Sequence, residues 1–138
     1  MYRYVVGVAF ANDLRTILLI RKNRPAWQSG RLNGVGGKLE PGEDFLPAMV
    51  REFKEETGLD VPAEKWHHAV TFTGPDYELR FFHTATDAIF EAESLTDEPL
   101  ERHDTSSLWE IPVIANLRWV IPLCLDRDIK LPVEFVKP

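Results

Sequence analysis

The segment from Asp44 to Thr57 places two opposed demands on any fold that contains it. Leu46, Met49, Val50, Phe53 and Thr57 recur at helical spacing and form one mostly apolar arc that needs cover. Glu52, Glu55 and Glu56 stand at i, i+3 and i+4, so their carboxylates project together beside that arc. The signals at its ends agree with a helix. Asp44 is the predicted N-cap. Pro47 falls in the first turn, where its missing N–H has no intrahelical partner to lose. Gly58 supplies the left-handed position that ends the helix. Such a helix must pack by Met49 and Phe53 while showing three carboxylates at its edge. An exposed like-charge pair costs only about 0.2–0.5 kcal/mol, so the acidic face alone reads as solvated surface.

The other elements suit a sheet that receives this helix. Tyr2 to Ala11 is β-branched and aromatic and reads as a strand, with a turn at Asn12-Asp13. Thr16 to Arg21 reads as a second strand, antiparallel to the first. Lys22 to Gly42 is rich in glycine and proline and reads as a long loop, with one short strand near Leu32 to Gly36. Val70 to Thr73 and Tyr77 to Thr86 form a predicted hairpin, and Ile89 to Glu91 a further short strand. Glu93 to Ser107 is acidic and reads as loop. Ile114 to Asp126 is a predicted second helix, with Asn116 as its cap and Pro122 shortening or kinking it. Leu131 to Val136 is a predicted edge strand, where Pro132 is tolerated. The fold class is therefore α+β, an α/β/α sandwich. Its 138 residues suit a single domain, 1–138.

A glycine-dense stretch, Gly34-Val35-Gly36-Gly37-Lys38, lies just before the acidic helix. Without Cβ atoms, its backbone can approach a ligand closely. A hard cation such as Mg²⁺ wants oxygen ligands and retains some water. A pair of glutamates and one loop carbonyl meet that need. Gly37 to Leu59 reads GKLEPGEDFLPAMVREFKEETGL. This resembles the Nudix box at every fixed position: Gly37, Glu43, Arg51, Glu52, Glu55, Glu56 and Gly58, with Phe53 and Leu59 at the apolar ones.

The resemblance implies a Nudix α/β/α sandwich with a mixed sheet between helices, and hydrolysis of a nucleoside diphosphate linked to another group. It implies Mg²⁺ as cofactor, with Mn²⁺ an alternative. Glu52 and Glu56 would be the main ligands, with the Gly36 carbonyl, and Glu55 would take a further metal or help activate water. Arg51 would orient the glutamates, with Glu43 as partner. Glu101 and Asp104 are candidates for an additional acid from a later loop. Lys38 is placed to meet phosphate, and Arg21 and Arg24 are further candidates.

Substrate choice lies outside the box. Gly30 to Lys38 and Asn116 to Pro122 resemble the MutT-like branch, which acts on oxidised purine nucleoside triphosphates. Asn33 and Asn116 are the candidate base readers. Trp27, Phe72, Tyr77 and Trp119 are candidates to stack on a base. Some members carry acids where this chain has Ala115 and Asn116, which weakens strict selectivity for oxidised guanine. The expected activity is cleavage of a nucleoside triphosphate to the monophosphate and pyrophosphate. ADP-ribose or nucleotide-sugar hydrolysis is the alternative. A non-hydrolysing nucleotide-binding module is the third reading, and the intact box acids argue against it.

The net charge of −6 argues against a nucleic-acid polymer as partner. The expected partner is a small nucleotide, with homodimerisation left open. No apolar run approaches membrane-spanning length and no signal peptide is evident, so the cytoplasm is the default location. The lone Cys124 excludes an internal disulfide and sits in an apolar run, as a core thiol would. His67 and His68 show no partner spacing that suggests a metal site and read as structural.

Overall fold

A computed structural model describes all residues 1–138. The opening strand, β1 (Tyr2–Phe10), pairs antiparallel with β2 (Thr16–Arg21) at Ala9↔Leu18 and Phe10↔Ile17. Two short strands follow, β3 (Leu32–Asn33) and β4 (Val35–Lys38). The loop expected to hold one short strand therefore holds two. β3 is antiparallel to β2, and β4 is antiparallel to β1. Since β1 and β2 run in opposite senses, the chain redirects between them at Gly34. A Cβ there would meet the Gly7 carbonyl oxygen at 2.6 Å, and one on Gly36 would meet the Val5 carbonyl oxygen at 1.9 Å. Glycine is thus required for the close stitching of this segment to β1.

Helix α1 (Phe45–Thr57) follows the predicted ends. Asp44 Oδ1 accepts from the Phe45 amide at 2.8 Å, and Gly58 is left-handed at φ 75°. The hairpin is formed by β5 (His67–Thr73) and β6 (Tyr77–Ala85). β6 then runs parallel to β1 along its full length, from Tyr2↔Tyr77 to Phe10↔Ala85. Two expectations are corrected beyond it. Asp87–Glu91 is a 3-10 turn capped by Thr86, not a strand. Within the acidic stretch, Leu100–Asp104 is a true strand, β7, paired antiparallel with β2. Its charged side chains hid it, because an outer strand needs little apolar alternation.

Helix α2 (Leu117–Leu125) is short, with Pro122 inside it. Asn116 occupies the capping position but its side chain makes no capping bond. The last strand, β8 (Val133–Val136), joins the sheet edge parallel to β5. The sheet order is β3-β2-β1-β6-β5-β8, with β4 against β1 and β7 against β2.

The sheet is buried on both faces, which explains why β1 and β2 read as continuous apolar runs. Val5, Ala9, Leu18, Ile20 and Phe82 pack with Met49 and Phe53 of α1. Val6, Val8, Phe10, Ile17, Leu19 and Phe81 pack with Leu117, Val120 and Ile121 of α2. The predicted α/β/α layering follows directly. Phe53 is fully buried, with its ring edge-on to Trp66 at a centroid separation of 5.0 Å. Replacing Phe53 by Ala should cost about 3–5 kcal/mol. Chemical denaturation should show a lower midpoint with an unchanged slope.

Candidate active site

Helix α1 and strand β4 meet where the carboxylates emerge. A Cβ on Gly37 would lie 2.5 Å from Glu52 Oε1. The Glu52 carboxylate therefore rests against the glycine backbone, and a larger residue there would displace it.

Arg51 is the hub of the acidic face. Its Nε and Nη2 donate to the two oxygens of Glu43 at 2.7 Å each. Its Nη1 reaches Glu52 Oε1 at 3.1 Å and Glu55 Oε2 at 3.2 Å. The Glu43 pair is bidentate, the strongest common form of such a contact. That bond, more than any other influence, pulls the Glu43 carboxyl down to about 2. Glu43 likewise raises Arg51 above its usual range. With Glu52 and Glu55 drawn to one guanidinium, no three acidic, imidazole or thiol groups converge as a ready-made ligand cluster. The three carboxylates share a face without sharing a point.

Glu56 stands apart from this network. Its Oε2 is buried without a hydrogen-bond partner. Burial, followed by the neighbouring Glu52 charge, pushes its carboxyl up to about 8. Burial also raises Glu52, against the opposing charge of Arg51. An orphaned buried carboxylate oxygen is costly unless something binds it. The donors here are hard oxygens, and the glycine cradle holds one of them against the backbone. This set fits a small hard divalent cation.

One acid escaped the sequence reading. Glu98 is buried, accepts from Lys22 Nζ at 2.9 Å and from the Asn23 amide at 2.6 Å, and lies close enough to Glu56 to raise it. Burial alone would raise Glu98 too, but Lys22 and the backbone amides outweigh it and hold it low. Nothing in the acid-rich run from Glu91 to Asp104 distinguished it. The two acids that had been candidates lie elsewhere. Glu101 is bound by Arg21 and His103, and exposed Asp104 caps the turn at Ser106.

A cavity of about 360 Å³ opens beside the glycine strand. Gly36, Gly37, Lys38 and Lys22 bound one part of it, and Asn33, Trp27, Tyr77 and Asn116 line it as well. The Asn116 Oδ1 is buried with no partner. Asn33 is already engaged, its amide nitrogen donating to Gln28 and its oxygen accepting from the Gly34 amide. Lys38 lies 4.8 Å over the Tyr2 ring. Trp27 is 63% exposed, a ring free to cover a ligand.

Arg21 and Arg24, expected to face phosphate, do not line this cavity. Arg21 is tied to Glu101 and the Gly30 carbonyl, and Arg24 to Asp97. Strand pairing of β2 with β7 brings those acids to them, and Lys22 between them takes the cavity side. Phe72 and Trp119 also lie away from it. They form an aromatic cluster at the sheet edge, with Phe72 stacked on Phe135 and Trp119 edge-on to both.

A profile of the NUDIX domain matches residues 1–122. This chain belongs to the Nudix family. It is 30% identical to human 8-oxo-dGDP phosphatase NUDT18 over 96% of its own length and 45% of that protein's. It is 34% identical to the mouse oxidized purine nucleoside triphosphate hydrolase over 67% of its length and 56% of that protein's. The chain thus spans about half the length of these relatives. A solved MutT structure, from a study of the Aliivibrio salmonicida and Vibrio cholerae proteins, superposes with a TM-score of 0.75 at 24% identity. It covers 90% of this chain and 97% of that one. MutT from Bacillus halodurans gives 0.72 at 24% identity, covering 99% and 90%. These structures share the Nudix fold. No helix in the chain is long and apolar enough to cross a membrane.

Glu56 and Glu43 set opposite pH trends when divalent cation is chelated. Glu56 favours its protonated form in the fold, so its contribution to stability declines as pH rises from 4.5 to about 8. Glu43 favours its charged form, so its contribution is lost as pH falls from 4.5 to about 2. Denaturation in EDTA should show both trends, and Glu56→Gln should lessen the decline toward alkaline pH, leaving the part due to the raised Glu52, with the acid-side loss unchanged.

Proposed function

We propose that the chain hydrolyses nucleoside triphosphates to the monophosphate and pyrophosphate, with oxidised purine nucleotides among its substrates. The observation that carries this reading is the cavity itself. Gly36 and Gly37 line it, the latter against the Glu52 carboxylate, and Asn116 lines it as well. The glycine backbone and lysines suit a phosphate chain, and the Asn116 amide suits a base edge. The relatives named for oxidised purine nucleotides support the same substrate class.

Glu52, Glu56 and the Gly36 carbonyl would hold Mg²⁺, and Glu55 would hold a further ion or orient water. Bound Mg²⁺ would screen phosphate oxygens and make coordinated water a better nucleophile. Arg51 acts as a positioning residue, fixing Glu52 and Glu55 from one guanidinium. Burial raises the Glu56 carboxyl toward its protonated form, so becoming a ligand would release a proton. Lys38 and Lys22 bring positive charge to the phosphate end, and Trp27 and Tyr77 offer faces for the base. Asn116, with no acid beside it, reads the base edge by its amide.

Nucleoside triphosphates, their oxidised forms, ADP-ribose and nucleotide sugars should be compared at equal Mg²⁺, with the products resolved. Triphosphates should yield monophosphate and pyrophosphate, and Glu52→Gln should lower turnover at least about a hundredfold. Turnover confined to ADP-ribose or sugars would refute the triphosphate assignment. Undiminished nucleotide binding without turnover in the native chain would make it a binding module.

A further inference from the structure

Strand register creates a pair of imidazoles that the sequence spacing concealed. His67 and His83 are direct cross-strand partners on β5 and β6. Their ring centroids lie 5.4 Å apart, with the planes tilted by 42°. An ion bound by one nitrogen of each ring sits about 2.0–2.1 Å from each nitrogen. Ring centres then lie roughly 3.2 Å from the ion, and a tetrahedral opening separates them by roughly 5.2 Å. The observed spacing is close to that value. The other two histidines are engaged, His68 with Thr71 and His103 with Glu101.

We propose that His67 and His83 form a chelating site for a borderline divalent transition-metal ion such as Zn²⁺ or Ni²⁺. Imidazole nitrogen suits these ions, whereas Mg²⁺ prefers oxygen. A cavity of about 390 Å³ borders both rings and gives room for the remaining ligands. Cys124 also lines this cavity, but no third acidic, imidazole or thiol group gathers with the pair, so the remaining positions fall to water or a small anion. Such a site is open and exchangeable, unlike a four-ligand structural centre. Lys65 is the one side chain lining the cavity that carries a fixed charge, and it opposes the cation. The cavity shares no lining residue with the one beside Gly36 and Gly37.

Calorimetric titration of the untagged chain with Ni²⁺, in excess Mg²⁺ to occupy oxygen sites, tests this directly. The native chain should bind one equivalent. Exposed His67 can be replaced without disturbing the core, and His67→Ala should weaken binding about tenfold or more. His68→Ala, whose side chain points to the opposite sheet face, should leave it unchanged. Lys65→Ala should tighten it. No Ni²⁺ binding by the native chain, or equal binding by His67→Ala, would overturn the proposal.

Discussion

The arrangement depends on one ion pair at the entry to the acidic helix, the bidentate bond from Arg51 to Glu43. A helix that gathers Glu52, Glu55 and Glu56 on one side concentrates repulsion at the sheet edge. Arg51 answers it locally by bridging Glu52 and Glu55. Glu43, which precedes the helix, anchors Arg51 from its other side. One guanidinium thereby ties the loop after β4 to the middle of α1. Glu56 stands outside its hydrogen bonds, partly buried, with one unpartnered oxygen and a carboxyl pushed upward by burial. The site is therefore assembled with a deliberate imbalance, which an added cation would relieve.

Backbone geometry is the second half of the same device. Gly34 and Gly36 press against the carbonyls of Gly7 and Val5, and Gly37 against Glu52. These contacts hold the segment between β1 and α1, so the acids and the cavity share one wall. The sheet separates the layers cleanly. The face bearing α1 supplies the carboxylates, while Asn116, at the start of α2, reaches the cavity from the other side.

Much of this was legible in the residues because local rules and tertiary demands agreed. Asp44, Pro47 and Gly58 mark α1 through backbone chemistry that no packing overrides. The spacing of Glu43, Arg51 and the three glutamates fixed which side chains would meet, since they share one helix and its entry. What stayed hidden depended on pairing between distant strands. Glu98 is one acid among many until β7 docks on β2 and buries it beside Lys22. Arg21 and Arg24 looked free until the same docking delivered Glu101 and, just before that strand, Asp97. His67 and His83 are sixteen positions apart, and only the β5–β6 register makes them neighbours.

The central claim is that a buried, unpartnered Glu56 oxygen awaits a divalent cation shared with Glu52. Thermal unfolding across a Mg²⁺ titration addresses it most directly, since a ligand that binds only the folded state must raise its stability. The melting temperature of the native chain should rise and saturate, and Glu56→Gln should abolish most of that rise. A melting temperature indifferent to Mg²⁺, or an equal rise in Glu56→Gln, would contradict the account.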